Sequence, residues 1–195
     1  MQQGFSMINQ PTEGSSMAPD SLRAGMPTNL DQPSRNESGA RDIEDVFELL
    51  KVDHDRLASL FADINNSSNP EEKIENFGVL YKVLTVHANT EEAVFYPTVA
   101  QYPSAEKWIP QNIEEHKEAK ELLEDIRALG VNTEEGMAAL QELQAALENH
   151  VREEEDYVFK GAQTDMNEEQ LLDLAHRVYE EKQRQAEKYD LQLID

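Results

Sequence analysis

Apolar residues recur at intervals of three and four along most of this chain, which is the spacing of one face of an α-helix. From about residue 41 onwards, such stretches follow one another and are separated by short segments rich in Asn, Ser, Gly and Pro. The sequence lacks the alternation of apolar and polar residues that is typical of strands. We therefore predict an all-α protein in which four amphipathic helices form an up-down-up-down bundle.

The first two helices form one predicted hairpin. Their stripes comprise Ile43, Phe47, Leu50, His54, Leu57 and Phe61 in the first helix and Ile74, Phe77, Leu80, Leu84, His87, Glu91, Val94 and Thr98 in the second. The segment NNSSNP at 65–70 separates the two helices. Asn69 is the predicted N-cap of the second helix, with Pro70 at its first position and Glu72 completing a capping box.

The third and fourth helices form a second predicted hairpin. Their stripes comprise Ile113, His116, Leu123 and Ile126 in the third helix and Leu140, Leu143, Leu147, His150, Glu154 and Tyr157 in the fourth. Gly130 is predicted to end the third helix, Asn132 to cap the fourth and Gly161 to end it. A fifth helix is predicted to begin near Asn167 and to run close to the C-terminus.

These patterns divide the chain into three parts. Residues 1–40 are rich in Pro, Gly, Ser, Asn and Gln and have no apolar period, which predicts a disordered polar tail. Residues 41–162 are the predicted bundle, and 163–195 hold the C-terminal helix.

The two hairpins are related by an internal repeat. His54 and His116 are 62 positions apart, and Ile64 meets Ile126 at the same offset. In the second helix of each hairpin the offset is 63, which pairs His87 with His150, Leu84 with Leu147 and Glu91 with Glu154. An approximate two-fold axis between two similar hairpins is therefore expected.

Four histidines and two glutamates lie on the predicted buried stripes: His54, His87, Glu91, His116, His150 and Glu154. Burying so many polar groups is costly unless something neutralises them, and metal ions do so. Six ligands exceed a four-coordinate zinc site and suit two iron or manganese ions, each with two histidines and bridged by both carboxylates. The competing reading is that these histidines are ordinary core or surface residues.

Other polar residues near the candidate ligands are not predicted to bind metal. Glu92 and Glu155 follow the two candidate ligands directly and are expected to point about 100° away from the site. His176 lies at the edge of an apolar face, with Glu180 four residues later, and both are predicted to be surface residues. Tyr157 lies on the site stripe, where it could either donate a hydrogen bond to a bound ligand or simply pack.

Composition narrows the chemistry further. The 195 residues include no cysteine, which excludes thiolate metal sites, disulfides and cysteine nucleophiles. The formal net charge of −23 would repel phosphate backbones and anionic bilayers, so neither nucleic acid nor a membrane is an expected partner. A membrane-spanning run and a signal-peptide pattern are both missing, so a cytoplasmic protein is expected.

The order of the candidate ligands resembles that of the hemerythrin-like HHE cation-binding domains. The residues that carry the resemblance are His54, 87-HANTEE-92, His116 and 150-HVREEE-155, within about 42–160. It implies a non-haem, oxo- or hydroxo-bridged pair of iron ions that binds dioxygen, peroxide or nitric oxide. Oxygen-carrying members have a further histidine ligand four residues after the histidine of the third helix. Lys120 stands at that place, which implies a more open centre and favours small-molecule chemistry or sensing over oxygen storage.

The ferritin-like carboxylate bundles are a poorer match, because they use Glu-x-x-His. Three residues before the four histidines stand Lys51, Leu84, Ile113 and Leu147. Three functions stay open from the sequence. They are a di-iron protein that binds or reduces oxygen species in stress defence, an iron or oxygen sensor without turnover, and a structural bundle without metal.

Overall fold

The computed structural model describes residues 45–193, and the regular secondary structure in this part of the chain is entirely helical. The α-helices are α1 Val46–Asn66, α2 Pro70–Thr90, α3 Tyr96–Val99, α4 Pro103–Glu106, α5 Ile109–Leu129, α6 Glu134–Glu153, α7 Lys160–Asp165 and α8 Glu168–Lys188. Two π-helical segments, π1 Glu91–Phe95 and π2 Glu154–Phe159, join α2 to α3 and α6 to α7. Residues 45–193 contain no strand, so the predicted all-α class is confirmed.

The long helices pack as two hairpins, α1 against α2 and α5 against α6. The predicted additional C-terminal helix, α8, packs against α1, α2 and π1 and therefore covers the first hairpin. Among residues 45–193, none of the helices combines the length and the apolarity that crossing a bilayer requires. The predicted disordered tail, residues 1–40, and the predicted stripe residue Ile43 lie outside the described residues.

The buried apolar residues form two clusters along the bundle. One contains Phe47, Leu50, Phe95, Phe159 and much of α8. The other contains Leu57, Phe61, Leu84 and Leu147 together with the ends of the hairpins near their loops. On α1, His54 lies between Leu50 of one cluster and Leu57 of the other. The polar residues of the bundle interior therefore occupy a layer with apolar packing above and below it.

Helix starts follow the predictions in part. Asn69 accepts a hydrogen bond from the backbone of Glu71, with Pro70 in the first turn, as predicted. The capping box is wrong, because the Glu72 carboxylate accepts a bond from Ser67 at 2.8 Å while the Ser67 hydroxyl accepts from the Asn69 backbone. The serine of the loop thus takes the role assigned to the glutamate.

The second hairpin also differs from its predicted boundaries. Gly130 ends α5 with a φ of 86°, in the left-handed region that favours glycine. The predicted Asn132 cap is wrong: Thr133 caps α6 by accepting from Gly136, and Asn132 donates to the carbonyl of Pro70. Gly161 does not end the fourth helix either, since α7 continues through it to Asp165.

The reason for glycine at position 161 is space. A Cβ atom there would lie 2.8 Å from the backbone carbonyl of Ser104, which is closer than real Cβ contacts allow. The close approach brings α7 against α4, and it explains why a glycine can occur inside this helix despite its cost.

The π-helical segments shift the buried face of both long helices. In π1 the backbone N–H of Tyr96 donates to the carbonyl of Glu91, five residues earlier, which adds one residue to the turn. Phe95, Tyr96 and Val99 are consequently buried in place of the predicted Val94 and Thr98, which are only half-buried.

The same shift in π2 buries Val158 and Phe159 and leaves the predicted Tyr157 45 % exposed. Two other predicted stripe residues, Ile74 and Ile113, are also exposed. Ile74 stands at the outer end of its stripe, whereas Ile113 lies one turn before His116 and lines a surface pocket beside Glu92.

Candidate metal centre

All six predicted ligands meet in the polar layer of the bundle. His54 comes from α1, His87 from α2, His116 from α5 and His150 from α6, while Glu91 and Glu154 begin the two π-helical segments. The histidines are at most 6 % exposed and the two glutamates are fully buried. The apolar stripes of four different helices place them there, so the convergence is a consequence of the bundle itself.

The inward-facing atoms fall into two groups that could each hold a metal ion, with the atoms of each group within 4.8 Å of one another. The first group comprises His54, His87, Glu91 and Glu154, and the second comprises Glu91, His116 and His150.

Glu91 is common to both groups. Its Oε2 atom lies 3.4 Å from Nε2 of His87 and 3.3 Å from Nε2 of His116. This position between the hairpins is what a bridging carboxylate needs. Glu154, 3.4 Å from Nε2 of His54, belongs only to the first group. The two predicted bridging positions are therefore unequal.

An outer ring of four carboxylates contacts the other nitrogen of each histidine. Glu155 lies 2.8 Å from Nδ1 of His54, Glu115 lies 2.8 Å from that of His150, and Glu92 lies 3.2 Å from that of His116. Asp53 lies 3.5 Å from Nδ1 of His87, the longest of the four contacts. A histidine that donates through Nδ1 to a carboxylate presents the lone pair of Nε2 inward, as a metal ligand must.

This ring corrects the expectation that Glu92 and Glu155 point away from the site. Each lies next to a ligand glutamate, but each reaches across to a histidine of the other hairpin. Asp53 and Glu115, which sequence analysis missed, each precede a ligand histidine and contact the second histidine of their own hairpin. The internal repeat could have revealed these four carboxylates, because the offsets of 62 and 63 pair Asp53 with Glu115 and Glu92 with Glu155.

The hydrogen-bonding state of the inner atoms tests whether these residues suit a metal. Seven buried side-chain nitrogen or oxygen atoms in the described part of the chain lack a hydrogen-bond partner. Five of them are inward-facing atoms of the proposed ligands: Nε2 of His54 and of His87, Oε1 of Glu91 and both carboxylate oxygens of Glu154. A sixth, Nδ1 of His87, faces Asp53 at 3.5 Å. Buried polar atoms are normally paired, so this concentration of unpaired donor atoms fits a bound cation.

The electrostatics of the layer follow from burial and mutual contacts. Burial disfavours a charge on His54, but the nearby carboxylate of Glu154, 3.4 Å away, and the hydrogen bond with Glu155 outweigh this and raise its pKa to about 10. Burial and the nearby charge of Glu154 raise the pKa of Glu91 to about 7. Burial alone would also raise the pKa of Glu154, but the contact with His54 and the charge of His150 lower it to about 2. Without metal, protons therefore occupy the positions that cations would take.

Tyr96 is a further residue at the centre. Its hydroxyl donates to Oε2 of Glu91 at 3.2 Å and lies 3.3 Å from Nε2 of His116. Burial and then the charges of Glu154 and Glu91 raise the pKa of Tyr96 well above its ordinary value, so the hydroxyl stays a donor. Regular helical periodicity could not find Tyr96, because π1 turns it inward.

The two halves of the centre differ at this place. Phe159 stands 63 positions after Tyr96, and its ring stacks on His54 with centroids 6.1 Å apart. Of the two roles left open for Tyr157, packing is the one observed, since its ring stacks on Trp108 at 4.2 Å. One half of the site thus carries a hydroxyl and the other an apolar ring.

Three residues that the sequence places outside the ligand set lie where they were expected. Lys120 does not enter the inner groups, and its ammonium lies 2.8 Å from the outer carboxylate of Glu92. His176 and Glu180 are exposed.

A groove of about 410 Å³ between α1 and α6 reaches the centre from outside. Its lining includes His54, Leu57, Phe61, Leu147, Val151 and Glu155. Gln144, Glu148 and Arg152 complete the lining together with Ala58, so the groove combines apolar and polar side chains beside a ligand histidine.

Comparison with known proteins agrees with this geometry. The model of the hemerythrin HHE cation binding domain matches residues 45–162. A protein of Nostoc sp. named DNA nickase is 32 % identical over 125 residues, which are 64 % of this chain and 35 % of that protein. An uncharacterized hemerythrin-like protein of Schizosaccharomyces pombe is 26 % identical over 132 residues, 67 % of this chain and 65 % of that one. The matches thus span about a third and about two thirds of these relatives.

No solved structure matches the chain significantly. The family match covers more than half of the sequence, and the ligand order, the helical bundle and the two cation-holding groups all lie inside it. The chain belongs to the hemerythrin HHE cation-binding domain family.

Proposed function

We propose that this protein holds two iron ions in the bundle and binds dioxygen, peroxide or nitric oxide there, with reduction of these molecules in stress defence as its role. His54, His87, Glu91 and Glu154 would hold one ion, and Glu91, His116 and His150 the other. The proposal extends to a cytoplasmic setting.

The observation that carries the proposal is the set of unpaired donor atoms. Five buried nitrogen and oxygen atoms of the proposed ligands have no partner and point into one layer, and four outer carboxylates lie beside the outward nitrogens of the rings. In a bundle without metal only protons would compensate for burying these groups, and the inward-facing atoms would stay without hydrogen-bond partners, so the purely structural alternative is disfavoured.

The donor types favour iron. Imidazole nitrogen is a common ligand for iron and zinc, whereas manganese prefers oxygen ligands, so manganese is the second choice. Zinc would be satisfied by the first group alone, which offers four ligands. The second group, which shares Glu91 with the first, supports a two-ion centre instead.

The chain's own residues define what the centre could accept. Bound iron would supply electrons and an open coordination position for a diatomic molecule or peroxide. The Tyr96 hydroxyl, next to the second group, can turn its single O–H from Glu91 towards such a molecule. The apolar clusters on both sides of the layer exclude water, and the groove at His54 admits small molecules.

The test is metal analysis of the purified protein, reconstituted with ferrous iron without oxygen, followed by near-ultraviolet spectroscopy after exposure to air. Two iron ions per chain and a spectrum that changes with azide or peroxide are expected. His176→Ala, at an exposed position, is the control and should behave like the wild type. A metal content near zero, or one zinc ion per chain, would overturn the di-iron proposal.

The alternative function is an iron- or oxygen-responsive sensor without turnover. One contact favours it: α8 packs on the hairpin that carries His54 and His87, so changes at the centre can be transmitted to the C-terminal helix. Repeated addition of peroxide to the reduced protein with a chemical reductant distinguishes the two functions. Continued consumption supports catalysis, and a single stoichiometric reaction supports sensing.

We propose no role for nucleic acid or membranes. One relative is named a DNA nickase, but the match covers 35 % of that protein. The formal net charge of −23 opposes contact with a phosphate backbone or an anionic bilayer. A fluorescent DNA duplex at low salt should therefore show no binding to this chain.

A further inference from the structure

A buried lysine connects the C-terminal helix to the centre. Lys182 of α8 is 5 % exposed, and its ammonium lies 2.9 Å from Oδ2 of Asp53, which is 4 % exposed. The same ammonium donates to the carbonyl of Leu49 at 3.4 Å. Lysine is almost never buried unless it is paired, and the carboxylate of Asp53 supplies that pairing.

The Asp53 carboxylate continues the connection. The Oδ2 atom that accepts from Lys182 also lies 3.5 Å from Nδ1 of His87, a proposed metal ligand. The shorter distance to the lysine indicates that Lys182 holds the carboxylate more firmly than His87 does. The orientation of the carboxylate next to His87 is therefore set from α8.

Among residues 45–193 the other metal-holding group has no buried equivalent of this arrangement: Lys120 contacts Glu92 beside His116, but both of these side chains are 32 % exposed. Glu115, the repeat partner of Asp53, has a side chain that is 28 % exposed and accepts from the amide of Gln111. The C-terminal helix packs against α1 and α2 of the first hairpin. The buried ion pair is thus an addition to one half of an otherwise repeated design.

We propose that Lys182 is a positioning residue for His87, acting through Asp53, and that the C-terminal helix thereby secures one of the two metal ions. This inference rests on the proposed metal centre. The ion concerned is the one held by His54, His87, Glu91 and Glu154. The ion held by His116 and His150 does not depend on Lys182.

The experiment measures how fast iron leaves the loaded full chain after a ferrous chelator is added. In Lys182→Met, which keeps the length of the side chain, one ion per chain should leave about ten-fold faster, because outer partners of metal-bound histidines have effects of this size. The second ion should leave at its wild-type rate. Lys182→Arg keeps the charge and should restore much of the slow release.

A control separates positioning from packing of the helix. Leu174 lies on the same helix, is fully buried and belongs to the apolar cluster that contains much of α8. Leu174→Ala should lower the melting temperature without selectively speeding the release of either ion. If Leu174→Ala gave the same one-ion effect as Lys182→Met, or if Lys182→Met accelerated neither ion or both equally, the inference would be wrong.

Asp53→Asn provides a second route if Lys182→Met does not fold. Asp53→Asn should speed the release of the same single ion. If Lys182→Met does fold, the double variant should release that ion little faster than either single variant, since both changes break the same connection. Additive effects, or an unchanged release from Asp53→Asn, would overturn the inference. Wild-type protein that takes up no iron would instead refute the metal centre itself, so the two failures are distinguishable.

Discussion

The Oε1 atom of Glu155 lies 2.8 Å from Nδ1 of His54, although the two residues are 101 positions apart and belong to different hairpins. Glu155 is thus tied to the first helix of the chain through a proposed ligand. The contact makes Glu155 a residue of the centre, although it stands one position beyond the ligand Glu154.

The first prediction concerns this outer contact. Glu155→Ala removes the partner that orients His54, so iron affinity should fall by about ten- to a hundred-fold. Glu142→Ala, an exposed change on the same helix, is the matched control and should leave affinity unchanged. Competition with a chelator of known affinity measures both. Equal affinities in the two variants would show that the contact with His54 has no role in binding.

The second prediction separates the two inner glutamates. Glu91 belongs to both groups, whereas Glu154 belongs to one. Glu91→Ala should therefore leave little of either iron ion, and Glu154→Ala should leave about one ion per chain. Metal analysis after gel filtration gives the numbers. Equal losses in the two variants would mean that both carboxylates bridge, as the internal repeat alone suggests.

The third prediction concerns Tyr96. Tyr96→Phe removes the hydroxyl next to Glu91 and His116 but keeps the ring, so two iron ions should still bind. Affinity for azide should fall several-fold, since loss of one hydrogen bond costs about 1 kcal/mol. Tyr157→Phe is the control, because this ring stacks on Trp108 away from the centre. An equal response of both variants in azide titrations would contradict the assignment.

The fourth prediction is a pH dependence of the metal-free protein. The pKa of His54 is raised from 6.5 to about 10, so its stabilising effect is present below pH 6.5 and is lost as the pH rises towards 10. Glu91, with a pKa raised from 4.5 to about 7, acts in the same direction at lower pH. The melting temperature of metal-free protein should therefore fall between pH 6.5 and 10.

Two comparisons test whether loss of the proton from His54 causes this fall in melting temperature. In the iron-loaded protein the metal replaces the proton on His54, so the decline should be smaller. In metal-free His54→Gln the decline should also be smaller than in the wild type. Parallel curves for wild type and His54→Gln would assign the effect to other groups.

The fifth prediction tests the groove between α1 and α6. Ala58 lies in its lining and is exposed, so Ala58→Trp should obstruct the groove and slow azide binding in stopped-flow measurements. Ser59, its exposed neighbour outside the lining, provides the control Ser59→Trp. Iron content should be unchanged in both. Equal azide rates would mean that ligands reach the centre by another route.

The residues that sequence analysis placed correctly are those that depend on the regular helix period. His54, His87, His116 and His150 lie on stripes that four helices turn towards one interior, so the bundle and the inner layer could both be predicted. The fifth helix begins with a capping box formed by Asn167 and Gln170, close to its predicted start.

The outer contacts could not be predicted in the same way. Whether Glu92 reaches His116 depends on the distance between two hairpins and on the rotamer of a long side chain, which the helical period does not define. The contact of Lys182 with Asp53 depends on where α8 packs, and neither composition nor spacing specifies this. Such contacts are properties of tertiary structure.

The π-helical segments have a consequence for insertions and deletions in this chain. Each segment amounts to one extra residue directly after a ligand glutamate. Loss of one residue from π1 would restore a continuous α-helix with its backbone hydrogen bonds intact, yet it would turn Tyr96 away from Glu91. A change of a single codon in length could therefore alter the chemistry of the centre while the ligands and the bundle remain in place.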